Sequence, residues 1–413
     1  MLHNPAIINL LDKQQAGGMN VMMDRAQKKK LYLTSLMVSV VATAIGSGAM
    51  GVMLSSIIDA YDLQTAQEGY MSSCISAGAL AALLGGILLR GRVSKPAFIF
   101  WGGTLMSVML LLKGTAIPFG VFLAVCTAMG LGMGVMDSFQ SAFLADLIPE
   151  RSAQGLGVLH GIFGVGGFAL PLALHRLLAG HGWRQVYVMI GLVCLALMLQ
   201  FGLASRKMAH DRLFAVKLET SGNFSQIRNF IKQPYFFVLL LCIFLGAAAQ
   251  NGVLVWTVRY VSGTLKSEAL APLCLSLFWI ASTVSRVMTP RLPVRPSAVL
   301  AAGSALTAAV WTAGIVSENA VMMLICCIIG GLGSGCCIPV LLSEGAAFSP
   351  ENTGLITSIL MIVKTIGQIL MPLAVSAIRA STGETAGMLL IAAAFLADAV
   401  AVAGLIYVKK KDR

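Results

Sequence analysis

Twelve apolar runs follow one another along the chain, at 33–57, 69–89, 97–113, 117–146, 155–178, 184–204, 235–258, 269–289, 297–315, 320–344, 355–377 and 386–407. Runs of about 20 residues are what a helix needs to cross a hydrocarbon core of about 30 Å. A chain that is 57% apolar and only 11% charged departs sharply from soluble domains, where about 25% of residues are charged. With a mean hydropathy of +0.85, lipid must be the solvent for most of its surface. The expected fold is an all-α integral membrane protein of twelve transmembrane helices.

The runs are not independent of one another. Gly130 to Ala173 returns 201 residues later, without a gap, as Gly331 to Ala374, and twelve of the 44 positions are identical. Gly130-Leu131-Gly132-x-Gly134 becomes Gly331-Leu332-Gly333-x-Gly335, Pro149-Glu150 becomes Pro350-Glu351, and Pro171-Leu172-Ala173 becomes Pro372-Leu373-Ala374. A repeat at half the chain length implies two copies of one unit, here two pseudo-symmetric six-helix bundles. Such halves are a mark of secondary transporters, which bind substrate where the halves meet.

The organisation expected is a tail at 1–32, a first bundle at 33–204, a linker at 205–234, a second bundle at 235–407 and a basic tail at 408–413. Residues 1–30 have no continuous apolar core ahead of Lys28-Lys29-Lys30, so they read not as a secretory signal but as a disordered tail, the alternative being that Pro5 to Leu11 lies on the membrane surface. With both termini placed inside, the cytoplasmic segments carry 22 of the 29 Lys and Arg. That is the positive-inside pattern of a multi-pass protein of the cell inner (cytoplasmic) membrane. The net charge of +12 is then topological, and no nucleic-acid partner is expected.

All nine cysteines fall inside apolar runs at spacings that suggest neither a metal site nor a disulfide framework. The glycine-rich stretches lack the GK[ST] of a phosphate loop and read as close-packing surfaces between helices. No cofactor is expected. No nucleophile, base and orienter stand together, so an enzyme is not expected either.

The duplicated twelve-helix plan over residues 33–407 resembles the major facilitator superfamily. Its hallmark loop between helices 2 and 3 matches Gly86 to Pro96, where Arg90 stands in place of the usual Asp and Arg92 and Lys95 supply the basic residues. Within the superfamily, Asp137, Pro149-Glu150-Arg151, Pro171 and Gly182-Trp183-Arg184 resemble the fucose permease-type branch of sugar:proton symporters, as do Ser276-Leu277-Phe278-Trp279 and Ser285-Arg286. The resemblance implies alternating access, and places the proton-coupling acid at Asp137.

Polar residues in mid-membrane are costly and mark function. Asp137 has Gln140 one turn on; Lys364 has Gln368 one turn on. The repeat aligns Lys364 with Phe163, next to His160, so His160 and Lys364 are expected to face each other across the halves. Gln250, Asn251 and Trp256 in the seventh run complete the substrate-binding set, the alternative for the amides being hydrogen bonds between helices. Arg90, Arg92, Arg286 and Glu344 are expected to gate, Arg259 to sit at the outer mouth, and Asp398 to pair locally. Three readings remain open: a proton-coupled symporter of a sugar or sugar-like solute, a carrier of organic anions using Lys364 and His160, and a non-transporting membrane sensor. The first two make a monomer whose partners are a small-molecule substrate, protons and membrane lipid.

Overall fold

The computed structural model describes residues 5–88, 94–148, 152–210 and 227–411. Among them lie twelve helices long and apolar enough to cross a membrane. The first half comprises α1 (Pro5–Tyr61), α2 (Tyr70–Leu88), α3 (Lys95–Lys113), α4 (Phe119–Leu147), α5 (Ser152–Gly180) and α6 (Trp183–His210). A short helix, α7 (Ile227–Ile231), precedes the second half. That half comprises α8 (Pro234–Arg259), α9 (Leu270–Met288), α10 (Pro296–Val316), α11 (Ala320–Ser334), α12 (Cys337–Phe348), α13 (Thr353–Thr382) and α14 (Glu384–Lys411). Helices α11 and α12 together form the tenth span.

Helix is the state these runs must adopt, because lipid offers no partner to a free peptide group. Proline marks the starts: Pro96, Pro234 and Pro296 occupy first-turn positions whose N–H would be unpaired in any case. The tail expected to be disordered is instead helical from Pro5 and continuous with the first span. Past Pro5 no further proline interrupts it, and its Lys, Gln, Leu, Met and Ala residues are good helix formers.

The packing repeats as the sequence does. In the first half α2 and α3 both pack on α4, α3 on α6, and α1 on α5 and α6. In the second, α9 and α10 pack on α11, α10 on α14, and α8 on α13 and α14. The glycine repeat makes this possible. A Cβ on Gly130 would collide with the Ile75 carbonyl of α2, and one on Gly331 would lie 2.5 Å from the Phe278 carbonyl of α9.

The main helix contacts that join the halves are α2 with α13, α5 with α9, and α1 with α8. The first two exchange under the pseudo-two-fold, and the third maps onto itself. Twelve spans leave the two chain ends on one side of the bundle, here the near face; the loop after α1 and the loop after α13 lie on the far face.

Candidate functional site at the interface of the halves

Four ionisable side chains lie within electrostatic reach of His160 or Arg286 between the halves, toward the near-face ends of their spans. Asp137 on α4 and His160 on α5 come from the first half; Arg286 on α9 and Lys364 on α13 come from the second. Asp137, Arg286 and Lys364 all act electrostatically on His160, and Asp137 acts on Arg286. Asp137 and His160 are exposed, while Arg286 and Lys364 are half-buried. Lys364 makes no direct ion pair with Asp137 among those of the described residues. The cluster therefore holds a guanidine, an amine, a carboxyl and an imidazole, two groups from each half.

Around it, prolines free carbonyls and polar side chains cap them. Proline has no N–H to give the residue four back. Pro339 thus leaves the Gly335 carbonyl without its helical donor, and the tenth span breaks there, between Ser334 and Cys337. Arg286 donates from Nε to the Gly335 oxygen at 3.1 Å, and Gln250 donates from Nε2 to the Ser334 oxygen at 2.6 Å. Pro372 inside α13 leaves the Gln368 carbonyl free in the same way, and Asn251 donates to it at 2.8 Å. A broken backbone at membrane depth is tolerated only with such partners.

The far face is closed by an ionic network. Glu68, just before α2, is paired with Arg379 of α13, and its other oxygen accepts from Arg259 at the end of α8 at 3.3 Å. Arg379 also donates to Glu384 at the start of α14 and lies 4.5 Å over the Trp256 ring. Backbone contacts reinforce it: Ser73 donates to the Ile369 carbonyl at 2.7 Å and Ser376 to that of Ala66 at 3.3 Å. A first-half acid is thus clamped by two second-half arginines.

A model of the Major Facilitator Superfamily matches residues 36–372. The chain belongs to that superfamily. Its fold is also that of solved relatives. A bacterial homolog of the human lysosomal transporter Spinster, solved in an inward-facing and occupied conformation, aligns over 92% of this chain and 97% of its own, with a TM-score of 0.70 at 14% identity. The nucleoside transporter NupG aligns over 91% and 99%, with a TM-score of 0.72 at 11% identity. No curated protein matches the chain significantly in sequence.

Set in the superfamily fold, the residues singled out from the sequence divide into groups. Asp137, Lys364 and Arg286, the last expected to gate, all act electrostatically on His160. Gln140 does not: it is buried, donates to Ser39 at 2.9 Å and accepts from Thr43 at 3.2 Å, both on α1. Gln250 caps the Ser334 carbonyl beside the break, Asn251 caps the carbonyl freed by Pro372, and Gln368 thus meets Asn251 through its backbone oxygen. Trp256 belongs to the far-face network, as does Arg259. Glu344 is held within its own half, accepting from Tyr235 at 2.7 Å and pairing with Lys409. Arg90 and Arg92 lie outside the described residues.

Glu68, Arg379 and Glu384 were missed by the sequence reading; their one signal is charge at the ends of apolar runs. Lys113 was missed as well. Fully buried inside the first half, its ammonium sits 4.7 Å from the Tyr187 ring and 5.2 Å from that of Phe122. The Met50 and Met129 sulfurs lie 3.8 and 3.9 Å away. Ring faces stabilise a desolvated cation, so this lysine ties α1, α3, α4 and α6 together at the last turn of α3.

Proposed function

We propose that this secondary transporter carries a small organic anion across the cytoplasmic membrane, with its termini cytoplasmic, and couples it to protons through Asp137. The charge balance of the central cluster carries the reading: Arg286 and Lys364 outnumber Asp137, and His160 adds a third group able to bind an oxyanion. A neutral sugar has no use for two half-buried basic side chains, whereas a carboxylate pairs with them at charge-assisted strength. This favours the anion carrier over the sugar symporter that the resemblance to the fucose permease-type branch implies.

The coupling follows from the same balance. Ionised Asp137 repels an arriving anion and competes for the cations; a proton on Asp137 removes both effects. Proton and anion thus bind together better than either binds alone, the condition for symport. The closed far face, the central cluster and the positive near face support an inward-facing state. Rocking of the halves about the α2–α13 and α5–α9 contacts gives the opposite access.

Uptake into proteoliposomes tests this, with carboxylates and neutral sugars offered under an imposed pH gradient. Gradient-driven accumulation of a carboxylate is expected, lost in Lys364→Met. Sugar uptake indifferent to Lys364→Met would restore the sugar reading, and no solute moving under any gradient would restore the sensor.

A further inference from the structure

A second carboxyl lies at membrane depth, apart from the central cluster. Asp398 stands midway along α14 and is 0% exposed. It accepts one hydrogen bond, from the Ser304 hydroxyl of α10 to Oδ2 at 2.7 Å. Oδ1 is buried without a partner. The space it occupies exists because residue 246 is glycine: a Cβ there would lie 3.1 Å from Oδ1 and against the Cys337 sulfur.

The groups that face this carboxyl can be named helix by helix. From α8 comes the Cys242 thiol, from α12 the Cys337 thiol, and from α10 only the Ser304 hydroxyl. The cations of α13, which also packs on α14, are directed elsewhere, Lys364 to the central cluster and Arg379 to the far-face network. No ion pair reaches Asp398 among the described residues. An ionised carboxylate with one neutral donor and an empty oxygen is a costly occupant of such a place, whereas a neutral carboxylic acid is a tolerable one. Intramembrane ionisable residues persist where they serve a function.

The surroundings supply the means of change. Gly246 lies one turn before Gln250 on α8, and Cys337 is the first residue after the break in the tenth span. Gln250 and Arg286 hold the two carbonyls of that break. Asp398 therefore backs the break in the tenth span, which Arg286 reaches from the central cluster.

We infer that Asp398 is a proton-binding site of the second half. It carries a proton while the far face is closed and releases it when α8 and α12 shift away from it. Loading takes one proton from water to form the carboxylic acid; release returns it as the carboxylate. The inference is independent of the anion reading and of Asp137, and it is read on the protein without any substrate.

Infrared pH titration of the purified protein in lipid tests it through the carbonyl stretch of protonated carboxyl groups. The wild type is expected to keep an acid signal at neutral pH that persists in Asp137→Asn and vanishes in Asp398→Asn, an isosteric change that preserves the bond from Ser304. Ser304→Ala should shift the signal to higher frequency without removing it, which marks the band as that of Asp398 in a folded protein. Glu68→Gln, which loosens the far face, should weaken it. The absence of the signal in the wild type, or its survival in Asp398→Asn, would overturn the proton site. An undiminished signal in Glu68→Gln would overturn the release.

Discussion

Glu68 and Arg379 stand 311 residues apart in the chain, yet form a buried ion pair whose side chains are only 3% and 2% exposed. One belongs to each half. Removing one partner of a buried pair costs about 3–5 kcal/mol, but Arg379 retains Glu384, so Glu68→Gln should cost about half of that. A closed far face destabilised by about 2 kcal/mol moves the population toward the far-face-open state by more than tenfold. Distance measurements between spin labels on the α1–α2 and α13–α14 loops should report the wider separation. Unchanged distances would mean that the pair is incidental to closure.

Pro339→Ala returns an N–H to the Gly335 carbonyl and allows the tenth span to run through. The variant should be more stable by about 1–3 kcal/mol, the scale of a proline's cost inside a helix, while its turnover falls about tenfold. Melting temperature and uptake rate measured on one preparation check this. A variant both more stable and equally fast would show that the break has no part in transport.

Gln140→Leu should behave as a packing change. Its amide bridges Ser39 and Thr43 inside the first half, and both hydroxyls keep backbone acceptors on α1, so removing it should cost about 0.5–1.5 kcal/mol per lost bond. Thermal stability is expected to fall while the substrate concentration for half-maximal uptake holds. A selective loss of affinity with unchanged stability would return Gln140 to the binding site.

Asp137→Asn separates coupling from movement. The amide cannot exchange a proton but keeps the size of the side chain, so accumulation driven by a pH gradient should disappear while exchange of substrate across the membrane continues. Loss of exchange as well would make Asp137 a substrate ligand and not a proton site.

The fold was readable from the sequence because membrane depth imposes itself on every residue of a span. The run at 97–113 became α3 at Lys95–Lys113, and the run at 297–315 became α10 at Pro296–Val316. The duplicated glycines foretold the duplicated packing. The repeat offset carries position between halves, which is why it set His160 of one half against Lys364 of the other. Arg286 was read as a gate because basic residues cluster in its loop, and nothing local shows that it faces His160. Gln250 and Asn251 looked like ligands because an amide in lipid needs a partner. That the partners are the Ser334 carbonyl beside the break and the Gln368 carbonyl freed by Pro372 follows only once the helices are packed. The link from Glu68 to Arg379 has no local trace at all.

The central claim is that Asp137, His160, Arg286 and Lys364 form one proton-linked anion site shared by the halves. It is tested most directly by gradient-driven uptake of a carboxylate panel into proteoliposomes of wild type, Lys364→Met and Asp137→Asn. Accumulation by the wild type, none by Lys364→Met, and exchange without accumulation by Asp137→Asn is the predicted result. Accumulation that survives Lys364→Met, or a wild type that moves neutral sugars and no anion, would contradict it.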